Sequence, residues 1–143
     1  MTGTTHLVFV YGTLMKGQRN HDRFLNRPGA RFLGDGVTRD AGFRMVVTPS
    51  LSSPGRETPS VFATPQGQRL RGQLFAVDDA CLADLDLLER AYRREPVALA
   101  GGQTAWVYLK TPQDTETWQD VSEHVTVDTA ANAVSWHEIV RTP

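Results

Sequence analysis

The apolar positions of the chain come in short runs broken by glycine, proline and polar clusters. His6 to Tyr11 (HLVFVY) is β-branched and aromatic and stops at Gly12, which predicts a buried strand followed by a loop over Gly12 to Arg19. Asn20 is placed to cap a short helix over His21 to Leu25, closed off by Pro28 and Gly29. Ala30 to Arg39 and Gly42 to Thr48 read as two strands, with Asp35-Gly36 and Ala41-Gly42 as breakers or bulges. Pro49 to Pro59 (PSLSSPGRETP) is a polar, turn-rich loop, long enough to form a flap over a site. Strands follow at Ser60 to Thr64 and Leu70 to Val77, joined by a turn at Pro65-Gln66-Gly67. The pattern then changes period. A helix is predicted from Asp78-Asp79, acids that suit its positive end, with an apolar stripe of Leu82, Leu85 and Leu88 widened by Ala83 and Leu87. Arg94 to Leu99 and Thr104 to Lys110 form a hairpin across Gly101-Gly102. Beyond Pro112 an acidic, threonine-rich stretch leads to Val125 to Asp128 and Val134 to Val140, a last hairpin or an extra layer.

Many short strands with one strong helix favour an α+β domain built on a curved sheet or small barrel, and leave too few helices for a doubly wound parallel sheet. At 143 residues and 40% hydrophobic side chains, a single domain over residues 1–143 is expected, with 112–143 an extension packed on it. Composition then narrows the partners. A formal net charge of −1 gives no electrostatic footprint for nucleic acid or anionic lipid. No apolar run approaches the roughly 20 residues of a membrane span, and Met1 to Thr5 lacks the regions of a signal peptide, so no membrane partner and a cytoplasmic location are expected. The single cysteine, Cys81, excludes an internal disulfide, agrees with a reducing compartment, and is expected to pack in the helix rather than react.

Candidate chemistry sits in two blocks, VYGTLMKGQRNH (Val10 to His21) and LDLLERAYRREPV (Leu85 to Val97). Glu89 lies four residues after Leu85 and seven after Leu82, so on a helix it projects from the leucine stripe. A carboxylate held against apolar groups resists ionisation and becomes a proton acceptor and donor near neutral pH. The structural alternative is an ion pair with Arg93 at the i+4 spacing, or a helix end open to solvent. Gly12 allows a sharp turn and close approach to the backbone, and Thr13 and Leu14 would then offer N–H groups to a carboxylate or an oxyanion. Tyr11 could line such a site or belong to the core, and His21 is expected to hold the loop through hydrogen bonds.

Other chemistries fit poorly. Gly12 and Gly17 have P-loop spacing, but Gln18 and Arg19 stand where Lys and Ser or Thr are needed to reach phosphates and Mg²⁺. His6, His21, His124 and His137 lack the paired spacings of zinc sites, so no metal is expected. Ser50, Ser52 and Ser53 lie in a proline-rich loop without the sharp turn of a serine nucleophile.

Together the two blocks, with the run GQLFAVDDACLADLDLLE between them, resemble the γ-glutamylcyclotransferase-like superfamily, nearest to its γ-glutamylamine cyclotransferase-like branch. The resemblance spans about Leu7 to Lys110 and rests on YGTL, then G and NH, then G-x-L-[FY]-x-V, LD-x-x-E and Y-x-R-x-x-V in order. It implies a small mixed β-barrel with flanking helices, and an enzyme that cyclises a γ-glutamyl group to release 5-oxoproline and a free amine. It also implies Glu89 as the catalytic acid/base, and Tyr11, Gly12, Thr13 and Leu14 as the loop that holds the glutamyl moiety. Tyr92 and Arg94 match Y-x-R and would shape the pocket or serve the strand. The chain departs from the family in the turn after Glu89, where Arg90-Ala91 alone precede Tyr92 and a longer turn is usual, so a reshaped pocket rim is expected.

The expected activity needs no cofactor, and the expected partner is a small γ-glutamyl amide acted on by a monomer or weak homodimer. Two other classes stay open on the residues alone. One is a non-catalytic module binding a γ-glutamyl or amino-acid ligand. The other is an interaction domain working through the segment after Pro112, whose Trp118, Trp136 and His137 match no motif.

Overall fold

The computed structural model describes residues 5–18, 20–49, 57–90, 92–110 and 125–136. In chain order these form β1 (His6–Val10), α1 (His21–Phe24), β2 (Ala30–Val37), β3 (Phe43–Pro49), β4 (Glu57–Ala63), β5 (Arg69–Val77), α2 (Asp79–Leu88), β6 (Arg93–Ala98), β7 (Thr104–Leu109), β8 (Val125–Asp128) and β9 (Ala133–Trp136). One curled sheet runs in the order β6-β7-β1-β5-β9-β8, with β2 on the other edge of β5, and β3-β4 form a separate ribbon. The sheet is mixed, since β1 is antiparallel to β5 but parallel to β7, and β9 is parallel to β5.

The curl follows from β5, the longest strand. Its residues Gln73 to Val77 pair with β1, and once β1 departs after Val10 its residues Arg69 and Leu70 pair with β9. Gly72 makes the crossing possible. A Cβ there would stand 2.2 Å from the Val10 carbonyl oxygen and 3.0 Å from the Phe9 ring, so only a glycine lets β1 lie this close.

Alternation along the strands sorts side chains into two cores. Phe9, Tyr11, Leu70, Leu74, Val107, Val134 and Trp136 pack with Met45, Val47 and Val61 of the ribbon. Val8, Val10, Phe75, Val77 and Tyr108 on the opposite face pack with Leu25, Cys81, Leu82 and Leu85 from the helical side. β1 and β7 thus feed both layers, which explains why His6 to Tyr11 shows no polar alternation.

The pattern-based expectations hold in outline and fail at identifiable places. The β2 irregularity falls between Phe32 and Gly34, while Asp35 and Gly36 keep regular pairing, because Gly34 at φ 141° absorbs the distortion. β2 stops at Val37, and Thr38 instead bridges to Leu99. β3 and β4 extend through Pro49 and from Glu57, into what the pattern reads as loop, because the ribbon continues pairing Pro49 with Glu57; residues 50–56 lie outside the described residues. In α2 the buried stripe is Cys81, Leu82 and Leu85, whereas Ala83, Leu87 and Leu88 are exposed. A short helix lying on a sheet buries a narrower arc than the leucines suggest. Asp78 does cap α2, its carboxylate accepting from the Cys81 amide at 2.8 Å. Trp136 is buried in the ribbon-side core, and the β8-β9 hairpin joins the sheet beside β5 rather than forming an extra layer; Trp118, His124 and His137 lie outside the described residues. No helix among the described residues is long and apolar enough to cross a membrane.

Candidate active site

β1 and β7 run parallel, so both deliver their C-terminal ends to one edge of the sheet. There β1 passes into the Gly12 loop, which is tied down at several points. The Met15 amide donates to the Gly12 carbonyl (3.1 Å) and the Asn20 amide to the Thr13 carbonyl (2.8 Å). The Asn20 side-chain amide donates to Thr13 Oγ1 (2.9 Å), and His21 Nδ1 donates to the Leu14 carbonyl (3.2 Å). His21 therefore holds the loop as expected. Asn20 does not cap α1 with its side chain, because that side chain is spent on Thr13. Among the described residues no acceptor satisfies the N–H groups of Gly12, Thr13 or Leu14, although all three residues are buried.

These three residues line a cavity of about 30 Å³ together with Phe9, Val10, Tyr11, Pro59, Glu89, Tyr92 and Tyr108. That volume holds a water molecule or two and is far below the several hundred Å³ of a typical small-molecule site, so the cavity must widen to take a ligand. Gly12 bears directly on its wall. A Cβ on Gly12 would lie 2.6 Å from Cγ of Pro59, so a side chain here would displace the β4 residue that closes the cavity.

Glu89 stands just past the last turn of α2 as its C-terminal cap, its amide donating to the Leu85 carbonyl at 2.9 Å. The chain then reverses tightly, the Tyr92 amide returning to the Glu89 carbonyl at 2.8 Å. The expected alternative of a Glu89–Arg93 ion pair is not formed, since Arg93 pairs with Glu95 at 3.1 Å. Among the described residues Glu89 has no ion-pair or hydrogen-bond partner for its carboxyl group. Burial raises its pKa to about 7, so it exchanges protons in the neutral range.

The three tyrosines cannot share that role. Burial pushes all three phenols above their ordinary value, with the Asp86 hydrogen bond adding to the rise at Tyr108. Their hydroxyls are also committed. Tyr11 donates to the Tyr108 carbonyl (2.8 Å), Tyr92 shares a hydrogen bond with buried Ser60 (2.8 Å), and Tyr108 donates to Asp86 (2.8 Å). Glu89 is thus the one cavity-lining group among the described residues poised to change its charge near pH 7. Among the described residues no three His, Cys, Asp or Glu side chains gather around a possible metal position.

Of the residues that the sequence marks for the site, Tyr11, Gly12, Thr13, Leu14, Glu89 and Tyr92 line this cavity. Arg94 does not. It stacks on the Trp106 ring at 4.6 Å and faces Asp86 at 3.5 Å. Sequence reasoning missed Tyr108, and it placed Pro59 only within a loop able to cover a site. Tyr108 is reached only through the parallel β1–β7 pairing and Pro59 only through the ribbon, and neither contact leaves a local signal.

A curled mixed sheet with two helices is an architecture that this chain shares with solved structures of cyclotransferase-like proteins. A mouse AIG2-like protein of known crystal structure superposes with a TM-score of 0.63 at 25% identity, over 79% of this chain and 82% of that one. Residues 8–127 match the family described as gamma-glutamyl cyclotransferase, AIG2-like, and the chain belongs to that family. A Danio rerio protein named gamma-glutamylaminecyclotransferase B is 34% identical over 119 residues, 73% of this chain and 59% of its own. A Drosophila melanogaster protein provisionally named a gamma-glutamylcyclotransferase is 35% identical over 112 residues, 71% of this chain and 68% of that one.

Proposed function

We propose that the protein converts a γ-glutamylamine or related γ-glutamyl amide into 5-oxoproline and a free amine, with Glu89 as the single acid/base. The observation that carries this reading is a half-buried carboxyl group with a pKa of about 7, unpaired among the described residues, lining one cavity with the loop residues Gly12 to Leu14, whose N–H groups meet no acceptor among those same residues. Names of relatives support the branch, including gamma-glutamylaminecyclotransferase B in Danio rerio.

The chemistry follows from these groups. The glutamyl α-amine attacks its own γ-carbonyl carbon, forming the ring C–N bond, and Glu89 takes the proton released by that nitrogen. The γ-carbonyl oxygen becomes an oxyanion, which the N–H groups of Gly12 to Leu14 stabilise. Collapse breaks the bond to the leaving nitrogen, and Glu89 returns its proton there. No water is consumed, and Glu89 ends in the state in which it began. Because the attack is intramolecular, holding the glutamyl chain folded between Tyr11 and Tyr92 lowers the barrier by removing rotational freedom beforehand. Phenols kept neutral by burial form suitable walls, since none competes for the proton. We place this activity in a reducing, cytoplasmic compartment, in keeping with the single buried Cys81.

The reading is tested by 5-oxoproline release from γ-glutamyl-lysine, glutathione and short γ-glutamyl dipeptides. Turnover strongest on γ-glutamyl-lysine supports the amine branch. Tight binding of these amides with no 5-oxoproline formed by the folded protein would replace the enzyme reading with a ligand-binding module.

A further inference from the structure

Glu89 occupies a weak position in the fold. It is the C-terminal cap of α2, held to the helix by its amide's bond to the Leu85 carbonyl at a point where chain ends fray, yet a proton carrier must be held within a fraction of an ångström. The structure contains a device suited to holding it. Asp86, one turn before Glu89, accepts the Tyr108 hydroxyl at 2.8 Å and faces Arg94 Nε at 3.5 Å. Arg94, two residues after Tyr92, lies directly opposite Tyr108 across the β6–β7 ladder and places its guanidinium 4.6 Å from the Trp106 ring centre. The segment that carries both Glu89 and Tyr92 is therefore fastened at each end to the same place on β7.

Resting on the acid/base reading of Glu89, we infer that Asp86, Arg94 and Tyr108 act together as positioning residues, a clamp that closes the base of the Glu89 turn and fixes the carboxyl group in the cavity. The same contacts account for two parts of the sequence signature that do not line the cavity, the Asp of LD-x-x-E and the Arg of Y-x-R. Stability is a poor explanation for them. The Asp86 and Arg94 side chains are 42% and 30% exposed, a setting in which ion pairs contribute little, and among the described residues Arg94 Nη1 is buried without a hydrogen-bond partner. An arrangement that tolerates an unsatisfied guanidinium nitrogen serves geometry rather than stability.

The test compares Arg94→Met, Asp86→Asn and the double variant by two readouts, kcat and KM for 5-oxoproline release and the Glu89 carboxyl titration followed by ¹³C NMR. Tyr11, Tyr92 and Tyr108 surround Glu89, with Asp86 and Arg94 behind Tyr108. Each single variant should lower kcat roughly tenfold or more with KM changed less than about threefold, and the double variant should be no worse than the singles, because the residues act as one unit. The Glu89 midpoint in Arg94→Met should move down from about 7 as the carboxyl group gains access to water. A purely electrostatic role predicts the opposite, since removing a cation beside Asp86 would raise it. Unchanged kcat, multiplicative losses in the double variant, or a Glu89 midpoint that stays or rises would overturn the clamp. If Arg94→Met fails to fold, Tyr108→Phe carries the same comparison because it removes the hydroxyl that Asp86 accepts without changing a charge, whereas Asp86→Asn carries the kinetic comparison alone, since losing an anion lowers the Glu89 midpoint in either case. Wild-type protein inactive on every γ-glutamyl amide, with the downward titration shift still seen in Arg94→Met or Tyr108→Phe, would refute the enzymatic reading and leave the clamp standing.

Discussion

Asp86 and Glu89 stand three residues apart at the end of the same helix, and their surroundings differ in every respect that matters. Asp86 accepts a hydrogen bond from Tyr108 and faces a guanidinium. Glu89 has neither, and burial moves its pKa to about 7. A fold that meets the needs of one carboxylate with the groups at hand could have met those of both. Arg93 lies at the right sequence spacing to pair with Glu89 but turns to Glu95 instead. The contrast teaches where to look for chemistry: the partnered acid holds Tyr108 in the wall, and the acid in the cavity, unpartnered among the described residues, is left free to exchange protons.

Exchanging the two carboxylates for amides tests that division most severely. Glu89→Gln keeps the size of the side chain but cannot carry the proton, so turnover should fall by about a thousandfold or more, while Asp86→Asn should lose far less. Comparable losses, or an active Glu89→Gln protein, would erase the distinction. Leu85→Ala removes a fully buried side chain from the seat that both acids share, and chemical denaturation should report a loss of about 2–5 kcal/mol. A cost under 1 kcal/mol would mean that α2 is anchored elsewhere.

A smaller effect separates the acids by pH. Because Glu89 has a raised pKa in the folded chain, it keeps a proton that the unfolded chain releases between about pH 4.5 and 7, so its contribution to stability falls as pH rises through that window and stays low above it. Glu89→Gln lacks this slope. It should match wild type near pH 4 and exceed it at pH 8 by on the order of 1–3 kcal/mol, read from denaturation midpoints at the two pH values. Smallest is Asp78→Ala, which removes the cap at the far end of α2 and should cost about 1 kcal/mol of stability with kcat nearly unchanged. A large loss of kcat there would show that the whole helix, not its last turn, governs the site.

Much of this was legible in the chain. Strands at β1, β5, β6 and β7 follow from their apolar runs, and α2 from its acidic start and leucine spacing. The cavity residues of the two signature blocks were visible because each block is local. What escaped depends on contacts between distant segments. Tyr108 reads as one more strand aromatic until β7 is known to lie parallel to β1, and Pro59 reads as a loop residue until the ribbon is seen to continue through it. Helix periodicity placed Glu89 on the correct side for a partly wrong reason. Leu88, expected beside it in the stripe, is 37% exposed, and Glu89 is aimed by its non-helical backbone (φ −98°, ψ 28°) rather than by the helical repeat.

The central claim is that Glu89 carries the proton in γ-glutamyl cyclisation, and the most direct measurement compares two pH curves on the same protein. One is kcat/KM for 5-oxoproline release from the best γ-glutamyl amide, and the other is the Glu89 carboxyl titration by ¹³C NMR. The account predicts that both rise through a common midpoint near pH 7 and that the kinetic midpoint disappears with Glu89→Gln. A Glu89 midpoint in the ordinary carboxylate range, about 4.3, beside a rate that still turns on near neutrality would contradict it.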